Sequence, residues 1–288
     1  MAYFYLLAAV IMNATSSVFG KRFNQRSNGL RGTGAFYNLL QLAAAFLCWG
    51  ILFLRDPSFD LAVLPYAGLF AFLYVLGTVG LIEALKHGPA ALSTLFVSLS
   101  LLLTTGWGFL FWGESPTLLV GIGLILVVSS VYLCLKTDEK EEKSFSRRWL
   151  IAILIAMVGN SGCSVVQRTQ QMTYDGKHGN MLMLFAMGGA LVFCLVRYLL
   201  SDRSDSPVLL RKNGIWPILA GGCNVMLNVL VMLMTFTDLS PSLIYPCLGV
   251  GGLMIVTLCS IFLFREKLNN LQWLGIGVGA AAVALLSI

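Results

Sequence analysis

Asn13 and Asn160 each sit inside a long apolar run of a 288-residue chain. An amide brings two donors and a two-lone-pair acceptor, and hydrocarbon offers it no partner. Such a side chain must bond a neighbouring helix or face an enclosed polar volume. A serine follows each asparagine four residues later, Ser17 and Ser164, on the same face of a helix. The spacing recurs in Tyr74 with Thr78 and in Asn224 with Asn228. Taken together, these groups could line a polar cavity at the membrane midplane and hold a small solute. Taken singly, each pair is equally well served by helix packing. Ser93 and Tyr245, near the starts of two helices, add hydroxyls to the set, although a serine can also bond its own backbone.

Charged residues near the ends of apolar runs form a second group. Glu83 has His87 and Lys86 within helical reach and can pair at the surface or couple transport to protons. Lys21 and Arg168 can stretch to the headgroups or attract an anionic solute. No metal or cofactor is expected. The only histidines are His87 and His178, and the seven cysteines contain no C-x-x-C pair. The chain also lacks H-E-x-x-H, G-x-S-x-G and the nucleotide-cradling G-x-x-x-x-G-K-[ST] segment, which disfavours an intramembrane enzyme and a nucleotide-driven pump.

These residues are positioned by elements that must lie in lipid. Hydrophobic residues make up 58% of the chain and charged residues only 11%, where a soluble domain carries about 25%. The expectation is ten helices at roughly 2–20, 34–54, 65–86, 90–113, 116–135, 149–170, 180–200, 214–236, 241–264 and 270–288. Helices are required because a lone helix satisfies its own backbone in lipid. The net charge of +6 does not signal nucleic acid, because the basic residues fall in short loops. Sixteen of the 19 Lys and Arg collect on one side, and only Arg55, Arg168 and Lys177 fall on the other. The richer side is expected to be cytoplasmic, with both termini outside and the polar stretch 137–148 as a cytoplasmic linker.

The chain also repeats itself. Pro89 to Glu114 and Pro241 to Glu266 are both 25 positions long (114 − 89 and 266 − 241). A shift of 152 superposes both ends and also lays Gly123 on Gly275. Asn13 aligns with Asn160, and Lys21 with Arg168, at a shift of 147. Five spans per copy is an odd number, so the second copy enters the membrane inverted. The fold class expected is therefore an all-α membrane protein, with ten transmembrane helices forming two inverted five-helix repeats, 1–136 and 149–288. Helices five and ten carry Gly121, Gly123, Gly275, Gly277 and Gly279, suited to close packing within the chain or to a homodimer contact.

With Phe111-Trp112-Gly113-Glu114 and Leu263-Phe264-Arg265-Glu266 each followed by a glycine-rich helix, the chain resembles the drug/metabolite transporter superfamily, in particular its EamA-like ten-helix members. It departs from that pattern at Leu101 and Leu253, where members commonly place a proline, and in the orientation that its loop charges indicate. The resemblance implies a secondary active transporter in the cell (inner) membrane, exporting or exchanging small organic metabolites or drug-like compounds by alternating access. The other readings are a lipid-linked sugar flippase and a non-transporting membrane subunit or sensor.

Overall fold

A computed structural model describes residues 1–87, 90–115, 117–135, 146–264 and 270–286. The side chains of 85–86, 90–92, 94–95, 98, 134–135 and 260–264 also lie outside what is described, as do Glu266 and most of the linker. The described chain is all-helical. Its helices are α1 (Ala2–Arg26), α2 (Thr33–Arg55), α3 (Leu64–His87), α4 (Ala90–Phe111), α5 (Leu118–Leu135), α6 (Arg147–Thr173), α7 (Gly179–Leu199), α8 (Ser206–Asn213), α9 (Ile215–Met234), α10 (Pro241–Phe264) and α11 (Asn270–Leu286). A single 3-10 turn, Leu61–Val63, precedes α3.

Among the described residues seven helices are long and apolar enough to cross a bilayer: α1, α2, α3, α6, α7, α9 and α10. Within α4, α5 and α11 the described apolar stretches Leu99–Phe111, Leu118–Leu133 and Asn270–Leu286 are shorter. Outward side chains such as Leu47, Leu118, Ile125 and Val192 are exposed and apolar, as lipid-facing surface should be. Two elements run differently from the sequence expectation. The first helix continues past residue 20 to Arg26, and α8 occupies a stretch read as loop. Helix α10 begins at Pro241, where a missing N–H does no harm, and stays helical through Pro246.

The chain forms two compact units, each drawing on early and late sequence. Unit 1 comprises Tyr3–Phe72 and Val166–Phe236. In it α2 packs against α7 and α9, and Gly221 of α9 is pressed onto the α2 backbone at Gln41. Phe23, Phe36 and Leu209 form a core at one end, with Tyr37, Tyr198 and Trp216 around it. At the other end the Asn180 amide donates to the Leu52 carbonyl (3.4 Å), and the Asp60 N–H to the Met181 sulfur (3.3 Å).

Unit 2 comprises Leu73–Val165 and Thr237–Ile288. Here α11 packs on α5, and α10 on α4. The Ser130 hydroxyl donates to the Gly275 carbonyl (2.7 Å), and Gly123 and Gly279 lie against Leu286 and Met254. Helices α3 and α6 meet backbone to backbone. A Cβ on Gly80 would stand 2.6 Å from the Ala156 nitrogen, and one on Gly159 would collide with the Gly77 nitrogen.

Candidate solute site

In unit 2 the polar groups form a ladder between α4 and α6. The Asn160 amide donates to the Ser100 hydroxyl (2.6 Å), which donates on to the Val97 carbonyl (2.6 Å). One residue on, the Ser161 and Thr104 hydroxyls bond at 3.1 Å. Asn160 is itself exposed, although it stands equidistant from Arg147 and Thr173 on an apolar helix. Ser164, one turn further, is half-buried. The other sequence-derived candidates of unit 2 serve contacts within the unit. The Trp149 indole donates to Ser93 (2.9 Å), Thr78 donates back to the Tyr74 carbonyl (2.9 Å), and Tyr245 is buried with its ring beside Trp112. Glu83 meets His87, its Oε1 3.4 Å from Nδ1, in the i, i+4 pairing that the spacing suggests.

In unit 1 α6 bonds the backbone of α9 at Asn228. The Gln167 amide donates to the Asn228 carbonyl (3.2 Å), and the Asn228 amide to the Asn224 carbonyl (2.8 Å). Arg168 is 8% exposed, so it is enclosed by protein and does not reach out to the headgroups. On α1 the Ser17 hydroxyl donates to the Asn13 carbonyl (3.1 Å), while its neighbour Ser16 reaches the Ala220 carbonyl of α9 (3.3 Å). Asn13 and Lys21 are half-buried. Three of the four i, i+4 polar pairs, Asn13–Ser17, Tyr74–Thr78 and Asn224–Asn228, therefore contain a bond to the carbonyl one turn back, as short polar side chains on helices often do.

Against this geometry, residues 1–136 match the model of the EamA-like transporter family. Residues 1–136 are thus similar to the EamA-like transporters, a family of the drug/metabolite transporter superfamily. One solved structure, named only as the crystal structure of a protein, is 13% identical with a TM-score of 0.73. The alignment covers 100% of this chain and 98% of that one. At that identity the likeness concerns fold alone. No curated protein matches the sequence.

The EamA-like segment ends before α6, which among the described residues holds the most buried polar groups. Gln167, Gln170 and Gln171 are each at most 4% exposed, and none was singled out by sequence reasoning. Gln170 donates to the Lys177 carbonyl (2.9 Å) and accepts from Gln171 (2.6 Å), which fixes the turn from α6 into α7. The signal was a run of amides beside an arginine at the end of an apolar span. Glu114, which closes the first copy of the repeated stretch, accepts from the Ser242 N–H (3.0 Å) in the first turn of α10. There a carboxylate meets free N–H groups and the positive end of the helix dipole. The Ser146 hydroxyl accepts from the Trp149 N–H (3.1 Å), capping the start of α6. The six described cysteines are free, and among the described residues no group of His, Cys, Asp and Glu could hold a metal.

Proposed function

We propose that this EamA-like chain is a secondary active transporter that exports or exchanges small organic metabolites or drug-like compounds by alternating access. In this reading all ten long helices cross the cell (inner) membrane. They form two inverted five-helix repeats, 1–136 and 149–288, joined by a cytoplasmic linker at 137–148, with both termini outside. The family match supports transport as the activity.

The observation that carries the reading is Asn160. It is exposed at the middle of a 27-residue apolar helix, about 40 Å long, and its one bond to Ser100 leaves the rest of its amide in need of partners that lipid does not offer. Water and solute supply those partners if that face borders an aqueous path. Asn13, Ser17, Tyr74, Thr78, Ser93, Ser164, Asn224, Asn228 and Tyr245 complete the proposed solute contacts. Glu83 is the proposed coupling residue, and Lys21 with Arg168 the attraction for anionic solutes. Gly121 and Gly277, with nothing within 4 Å of an added Cβ, leave room for a homodimer contact through α5 and α11.

The test compares intracellular metabolites in cells overproducing the native chain and Asn160→Leu at equal membrane abundance. The expectation is that at least one small solute changes with the native chain and returns to baseline with the variant. Equal profiles from both would remove Asn160 from the site, and a profile unmoved by the native chain would remove transport.

A further inference from the structure

Unit 1 has two ends of opposite character. At the end where α1 and α7 finish and α2 and α9 begin, residues 21–31 carry four basic side chains and residues 197–212 carry four more. Only Asp202 and Asp205 oppose them, and both are engaged. Asp202 pairs with the Arg31 guanidinium (3.2 Å), and Asp205 accepts from the Arg31 N–H (2.9 Å). At the opposite end Arg55 and Lys177 are balanced by Asp56, Asp60 and Asp175.

The basic end also holds α8, which lies between the close of one apolar span at Leu199 and the start of the next at Ile215. That placement puts α8 at the level where hydrocarbon gives way to water. Its inward face is anchored. Leu209 is fully buried against Phe23 and Phe36, and the Asn213 amide donates to the Arg26 carbonyl (3.2 Å) and the Ser27 hydroxyl (3.0 Å). Its outward face mixes two chemistries. Leu210 is 56% exposed and, beyond the helix ends, Leu200 is 83% and Ile215 54% exposed, while Arg211 and Lys212 are exposed beside them. Arg26 stacks its guanidinium over Trp216 at 5.3 Å, next to this face. Apolar side chains at an acyl boundary with cations just above them suit a helix lying in a headgroup layer.

We infer that α8 with Arg211, Lys212 and Arg203 forms a binding surface for anionic phospholipid headgroups, which brace this end of unit 1. The surface calls for a ligand with phosphate and acyl chain together, because cations and exposed leucines are interleaved on it. The inference rests on the membrane reading and is independent of transport.

The experiment places the purified full chain in nanodiscs of phosphatidylcholine, with and without phosphatidylglycerol, and reads lipid binding and thermal midpoint. Phosphatidylglycerol should bind and raise the midpoint, and high salt should erase the rise. Arg211→Gln with Lys212→Gln should match the native chain in phosphatidylcholine alone. It should lose about thirtyfold in affinity for phosphatidylglycerol, from roughly fivefold for each basic side chain near a charged leaflet. Native and variant chains responding equally would overturn the inference. So would equal stabilisation by inorganic phosphate in phosphatidylcholine discs, which would make the surface a plain anion site.

Discussion

The two halves of α6 join their neighbours in opposite ways. Up to Val165 the helix is lined with Ala152, Ala156 and Gly159, and its backbone touches that of α3 at Gly77 and Gly80. From Val166 onward the buried positions are Gln167, Arg168, Gln170 and Gln171; Gln167 reaches a carbonyl of α9, Gln170 reaches one in the following turn, and Gln171 bonds Gln170. Within a membrane both devices replace the hydrophobic drive that water would supply. One uses dispersion at minimum separation, and the other uses hydrogen bonds that lipid cannot compete for. The first seam has no slack, because backbone atoms fill the space. The second has rotatable bonds, so it can adjust to a change.

That contrast can be broken most forcefully at Gly159. A Cβ there would stand 2.6 Å from the Leu73 carbonyl oxygen and collide with the Gly77 nitrogen. Gly159→Val should therefore exceed the usual overpacking penalty of about 1–3 kcal/mol and leave little monodisperse protein in detergent. Gly162→Ala, whose new atom meets only the flexible Leu73 side chain, should be far milder on the same column profile. Smaller in size is Gln170→Ala. It removes the donor to Lys177 and the acceptor for Gln171, and should lower stability by about 1–3 kcal/mol in thermal melts. A loss no greater than that of the exposed Thr173→Ala would make the amide seam incidental.

The smallest expected effect lies outside the spans. Asp202 is held below the usual carboxylate range, first by the Ser204 backbone N–H, then by the Ser204 side chain and Arg31. A lowered pKa favours the ionised, folded form. The contribution is present above the unfolded value of 3.8 and fades as pH falls through the lower folded value. Acidification below pH 3.8 should loosen the α2–α7 end slightly, and Arg31→Gln should blunt that response in hydrogen exchange.

The long apolar runs were legible because the demand that backbone be satisfied in lipid is local to each run. Glu83 with His87 was legible for a similar reason, since both lie one turn apart. Helix α8 was not legible. Its stretch Ser-Pro-Val-Leu-Leu-Arg-Lys-Asn is too polar for a span, and its main anchor, Leu209, depends on Phe23 and Phe36 far away in sequence. The glutamines of α6 escaped notice because amides at a span end look like a solvated terminus. Their burial comes from packing within unit 1. The Gly77–Gly159 approach joins positions with no local mark of kinship. Among the solute candidates, sequence spacing located the asparagine and hydroxyl pairs. The Asn160–Ser100 bond, which joins α6 to α4, follows only from the fold.

The interleaving of the two units bears on how a ribosome delivers them. Unit 1 takes nothing after Phe236, whereas unit 2 waits for α10 and α11. Glu114 meets its partner Ser242 only after 128 further residues have been made. During synthesis unit 1 can close first, while the early helices of unit 2 stand in the bilayer with an open flank. A nascent chain halted beyond Phe236 should therefore already hold one finished unit, and the last two helices act as the keystone of the other.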